Sequence, residues 1–148
     1  RQLMVDRTTL EQLRSRAGSD AAISLPDASV LQPHLAAALA DHGGLQMLLL
    51  SSSDGRALAW ETNALAVDAR RAAAMSNAFL TLGETLAREL GLSSASHVTL
   101  STADGNVVLV RVQGRTPCML ASLADANTPL AMVLYSTREC ARRLAAML

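Results

Sequence analysis

Lysine is absent from this chain of 148 residues: its thirteen cations are all arginine, and thirteen acids balance them. With a formal net charge of zero, no long-range field steers the chain to nucleic acid or to an anionic membrane surface. Aromatic side chains are almost as scarce, being only Trp60, Phe79 and Tyr135. A stacking platform for bases is thereby excluded as well. Long apolar runs are missing too, since the longest, residues 35–40 and 130–135, have six residues each, far short of the ~20 needed to span a bilayer. Nor does a secretory hydrophobic region occur. The two cysteines, Cys118 and Cys140, lie in apolar contexts away from any histidine motif, so they read as buried thiols and fit a cytoplasmic chain.

Catalytic signatures are missing in the same way. The chain holds no GxxxxGK[ST] loop to cradle phosphates, no GxGxxG, no GxSxG elbow, no HExxH and no CxxC. The expectation is a protein that is not an enzyme, with no catalytic residues, no cofactor and no metal. His34 and His42 fall eight residues apart without an acidic or thiol companion, which makes them solvated rather than metal-binding. Cys118 activated by His97 is the one nucleophile worth testing, but nothing nearby orients the imidazole or holds an oxyanion. Glu84 and Glu89 read as solvated carboxylates, and Arg138, Arg142 and Arg143 as cations suited to a helix end.

What is present is a clear alternation of elements. Residues 1–29 form a separable extension, in which Thr8, Thr9, Leu10, Glu11, Gln12 and Leu13 resemble a short capped helix ended by Gly18, followed by a linker containing Pro26. The domain proper spans 30–148. Its first helix covers roughly 30–42, with Val30, Leu31, Leu35 and Leu39 toward the core and Gly43-Gly44 as the stop. Residues 45–50 then form a strand apolar on both faces, which implies cover on both sides of the sheet. The Asp54-Gly55 turn returns the chain through 57–60. Trp60 closes that strand as a core lid or, alternatively, an interface anchor.

Residues 68–91, DARRAAAMSNAFLTLGETLARELG, carry the strongest helical period. Met75, Phe79, Leu82, Leu86 and Leu90 make a stripe expected to pack on the sheet, between an Asp68 N-cap and a left-handed Gly91. Beside the stripe, Ala74, Ala78, Thr81 and Thr85 leave a small uncharged flank, suited to solvent or to a helix against helix seam. Next, 96–101 alternates, so that Val98 and Leu100 face in while His97, Thr99 and Ser101 face out along a half-exposed or edge strand. Asp104-Gly105 turns into 107–112, Gly114 and Pro117 turn into 118–123, and Asp125 to Pro129 start a final helix. The resulting architecture is α/β: a mostly antiparallel five-stranded sheet made of a strand pair and a three-strand meander. The central helix covers one face and two helices cover the other.

Residues 30–148 resemble the roadblock family, the dynein-light-chain and bacterial GTPase-regulator domain, with a roadblock/profilin-like sandwich. The likeness rests on GLQMLLLSSSDGRALA at 44–59, the Ala-rich helix after Asp68, the strand, Asp-Gly, strand, Gly, strand series, and the DANTPLAMVLYSTRECARRLAAML ending. It implies a homodimer in which two five-stranded sheets join into one of ten strands. The residues implied at that interface are Ala74, Asn77, Ala78, Thr81 and Thr85 on the helix and His97, Val98, Thr99, Leu100 and Ser101 on the strand. It further implies a non-catalytic scaffold, acting as an activating or regulatory subunit of a small Ras-like GTPase. A rival of another class is a small-molecule sensor with a ligand held between helix and sheet, which would require convergent polar groups among inward positions that are mostly Leu, Val, Ala and Met.

Overall fold

The structure, a computed structural model, describes residues 26–63 and 66–148. The proposed helix around residues 8–18 lies outside them. From the N-terminal side the elements are α1 (Ala28–Asp41), β1 (Leu45–Ser52), β2 (Ala57–Thr62), α2 (Ala69–Glu89), β3 (Val98–Thr102), β4 (Gly105–Val112), β5 (Cys118–Asp125) and α3 (Leu130–Ala145). The strands form one antiparallel sheet in the order β2-β1-β5-β4-β3. The strand pair and the meander expected from the two Asp-Gly turns are therefore joined through β1 and β5, at the centre of the sheet.

Local signals set the element ends. Asp68 caps α2, its Oδ1 accepting from the Arg71 backbone N–H at 3.2 Å. Gly91 ends that helix at φ +71°, and Gly55 turns the first hairpin at φ +85°, both in the region where a Cβ is penalised. Asp125 Oδ1 accepts from the Asn127 N–H at 3.0 Å and from the Thr128 hydroxyl at 2.9 Å, a local turn that delivers Pro129 to the start of α3. The first helix begins at Ala28, two residues before the expected start, which puts Pro33 in the second turn, where it has no N–H to donate to the Ser29 carbonyl.

The two sheet faces are packed differently. On one, α1 supplies Leu31, Leu35 and Leu39 and α3 supplies Val133, Cys140, Ala141 and Leu144, all buried over Leu48, Leu50, Val108, Val110 and Leu120. A buried pair of hydroxyls pins α3 there: Thr137 Oγ1 donates to the Val133 carbonyl at 2.6 Å, leaving it to accept from Ser122 on β5 at 2.7 Å. On the other face α2 lies over Leu49, Leu109, Met119 and Ala121, and what it buries is Ala69, Ala73 and Leu80.

That arrangement corrects the expected orientation of α2. Met75 is 66% exposed, Leu82 67%, Leu86 57% and Leu90 64%, with Phe79 exposed too, so the large stripe does not pack on the sheet. Small residues line the helix underside because they permit close approach. A Cβ on Gly83 would stand 2.6 Å from Val98 Cγ2, nearer than any real contact. Three further expectations fail for related reasons. Trp60 is exposed on the edge strand β2, on the α2 face with its fully buried cross-strand partner Leu49, so of its two expected roles the core lid fails. Leu100, expected to face in, is half exposed at the other edge. His97 and Thr99, expected to face out, are partly buried, since Thr99 pairs with Val108 on the face that α1 and α3 cover.

Candidate protein interface

The apolar stripe of α2 and the open edge of β3 make one continuous surface. Val98 and Leu100 pair with Leu109 and Val107, which places both on the α2 face of the sheet. Between helix and strands runs a groove of about 310 Å³, lined by Ala72, Met75, Phe79, Leu100, Val107 and Leu109 with Ser76 as its polar member. Among the described residues β3 has β4 on one side and no strand on the other. An exposed edge beside exposed large apolar side chains is a ready template for pairing with another chain. The groove lacks the convergent polar groups that would orient a small ligand.

The ten residues implied by the family resemblance divide around this surface. Val98, Leu100 and Ser101 lie on the β3 edge, with Leu100 and Ser101 exposed. Ala74, Ala78 and Thr81 are exposed on α2, on the flank beyond the large stripe, with Ala78 next to Leu82 by helical position. Thr85 is half-buried and bonds back to the Thr81 carbonyl at 2.9 Å. Asn77 is half-buried over the first hairpin, close to Gly55. The exposed stripe itself is not among those ten residues. Its period was plain, but periodicity does not say whether a stripe meets its own sheet or another chain.

Two polar clusters flank the surface. Arg111 on β4 grips Glu84 on α2 with two bonds, Nε to Oε2 at 3.2 Å and Nη2 to Oε1 at 2.6 Å, and also reaches Thr81 Oγ1 at 3.3 Å. Glu84 is therefore a staple between helix and sheet rather than a solvated acid, and the Arg111 hydrogen bonds hold its carboxyl below the usual range. At the start of β3, Arg138 of α3 lies 2.9 Å from His97 Nδ1 and donates to Ser96 Oγ at 3.3 Å. Burial, aided by the Arg138 charge, pushes the His97 pKa down, so its Nδ1 serves as an acceptor.

The thiols offer no reactive centre. Cys118 is buried at the start of β5, and burial raises its pKa, while Cys140 is pushed up to about 11. His97 is engaged by Arg138 instead of by a thiol. Among the described residues no group of three His, Cys, Asp or Glu could hold a metal ion, and no helix is long and apolar enough to cross a membrane.

A five-stranded antiparallel sheet between one helix and a helix pair, with its large apolar surface on the single helix and an open edge beside it, defines a roadblock-type α/β sandwich. The chain belongs to the Roadblock/LC7 domain family, whose profile matches residues 32–116. No curated protein sequence matches the chain. Among solved structures it is similar to an MglB with tetrameric arrangement, at TM-score 0.68 and 19% identity over 77% of this chain and 84% of that one. A Roadblock/LC7 domain from Streptomyces avermitilis gives 0.66 and 19%, over 78% and 96%. Profilin IA of Acanthamoeba castellanii gives 0.55 and 15%, over 78% and 97%. At these identities the likeness is one of fold.

Proposed function

We propose that the chain is a homodimeric, non-catalytic regulator of a small Ras-like GTPase. The observation that carries the proposal is the continuity of the exposed α2 stripe with the open β3 edge. Two copies meeting there would extend the sheet to ten strands and bury Met75, Phe79, Leu82, Leu86 and Leu90, each for a gain on the order of 1 kcal/mol or more. The interface is then centred on the large stripe, with Ala74 and Ala78 at its border and Leu100 on the strand. Membership of the Roadblock/LC7 family supports the GTPase as partner. Such a scaffold raises hydrolysis by ordering the GTPase's own switch segments, because positioning the attacking water and the γ-phosphate is itself catalytic. It needs to supply no arginine finger.

The test uses purified protein with the Ras-like GTPases encoded beside its gene, read by complex formation and by single-turnover GTP hydrolysis. A stable complex with altered turnover is expected. Neither binding nor altered turnover with any of them would remove the GTPase from the proposal and leave the dimer to be judged separately.

A further inference from the structure

The edge of β3 carries opposite charges at its two ends, and among the described residues neither has an ion-pair partner. At the N-terminal end the Arg138 guanidinium is placed by two neutral acceptors, Ser96 Oγ and His97 Nδ1. Among the described residues the ion pairs are Arg56 with Asp54, Arg111 with Glu84, and both Arg142 and Arg143 with Glu139, so Arg138 has no carboxylate. Beside it a cleft of about 290 Å³, lined by Ser96, Val110, Gln113 and Arg142, has room for one. At the other end Asp104 is exposed in the β3–β4 turn, its backbone N–H bonded to Thr102 Oγ1 at 3.2 Å. The five-residue strand β3, roughly 17 Å long, lies between Ser96 before it and the turn that holds Asp104 after it, so the two charges sit at opposite ends and do not meet in one subunit.

An antiparallel partner reverses the ends. When a two-fold axis relates two β strands of one sheet, one residue stands opposite its own copy, and residues equally far on either side of it face each other. Leu100 suits the axis: it is half exposed, central in the strand, and on the same face as Met75 and Phe79. With Leu100 there, Val98 stands opposite Thr102 of the partner subunit, and beyond that last pair the Ser96 end of one strand faces the turn of the partner subunit that carries Asp104. Moving the axis by one residue shifts every pairing by two, about 7 Å, and brings Thr99 or Ser101 to the centre in place of the apolar side chain. We propose that a second copy of this chain pairs along β3 with Leu100 on the axis, and that Arg138 of each subunit closes on Asp104 of the partner subunit. The inference rests on the dimer reading above and adds its register: the apolar stripe supplies attraction, and the two end charges select one alignment.

Sedimentation equilibrium of the full chain, at low salt, tests it with Arg138→Glu, Asp104→Arg and the double exchange. Each single change places like charges together twice per dimer and is expected to raise the dimer Kd about tenfold. The double exchange restores opposite charges and is expected to return the Kd to within about threefold of the parent. Circular dichroism melts of the three variants verify that each remains folded, both positions being exposed. If the parent is a dimer and the double exchange is weaker than either single change, or neither single change matters, the register is wrong while the dimer stands. A parent that sediments as a monomer overturns the dimer reading and the register together.

Discussion

The two faces of the sheet use α2 and α3, helices of similar amphipathic strength, in opposite ways. On the α1 and α3 face, leucines and valines point at the sheet and the core is closed within the subunit. On the α2 face, Ala69, Ala73, Gly83 and a single large side chain, Leu80, face the sheet, and the other large side chains of the helix point away from it. The difference shows that a hydrophobic stripe identifies which side of a helix needs cover, not what supplies the cover. For α2, close packing of Ala73 and Gly83 leaves Met75, Phe79, Leu82 and Leu86 exposed. One face thus closes within the subunit, and the other is the one that the proposed dimer would use for association.

That contrast breaks most sharply with paired truncations. Leu144→Ala, on the closed face, removes a fully buried side chain and is expected to cost about 2–5 kcal/mol in denaturant unfolding, with little change in dimer Kd at concentrations where the subunit stays folded. Leu82→Glu, on the open face, is expected to reverse the pattern: the dimer Kd rises by about a hundredfold or more, because a charge is buried in the seam, while the subunit stays folded by circular dichroism. If Leu82→Glu instead unfolded the subunit, the assignment of the two faces would fail.

A smaller effect tests what holds α2 down. Glu84→Gln removes the carboxylate from Arg111 and is expected to cost about 1 kcal/mol at neutral pH. The sign of its pH dependence follows from the depressed carboxyl. A group whose folded pKa lies below its unfolded value stabilises above the unfolded value, here 4.5, and loses that stabilisation as pH falls through the folded one. The parent should therefore lose more stability than Glu84→Gln between neutral and acid pH in parallel urea titrations. Equal losses would show that the pair contributes nothing. Smallest of all is Ala78→Arg, which adds a charge at the border of the stripe and is expected to weaken the dimer several-fold, less than Leu82→Glu. An equal or larger loss would move the centre of the seam to the Ala/Thr flank.

Much of the fold was legible because its punctuation is local. Asp54-Gly55, Asp104-Gly105, Asp68, Gly91 and Pro129 mark ends that need only neighbouring residues to form, and the five strands and three described helices fall between them. The seam was half legible. The period of Met75, Phe79, Leu82, Leu86 and Leu90 gave the stripe, but its direction depended on how closely Ala73 and Gly83 could approach strands far along the chain. Contacts such as Arg111 with Glu84, 27 residues apart, or Arg138 with His97, 41 apart, leave no periodic trace. The exposure of Leu100, and of Trp60 where a core lid was one of its two readings, was hidden for the same reason, since an alternating strand does not reveal whether a helix extends over its edge.

The most direct measurement is the mass of the parent chain by light scattering across a dilution series, set beside that of Leu82→Glu. The account predicts twice the chain mass of 15.6 kDa for the parent and the single chain mass for the variant. A parent that stays at 15.6 kDa at every concentration, or a variant that keeps the doubled mass, would contradict it.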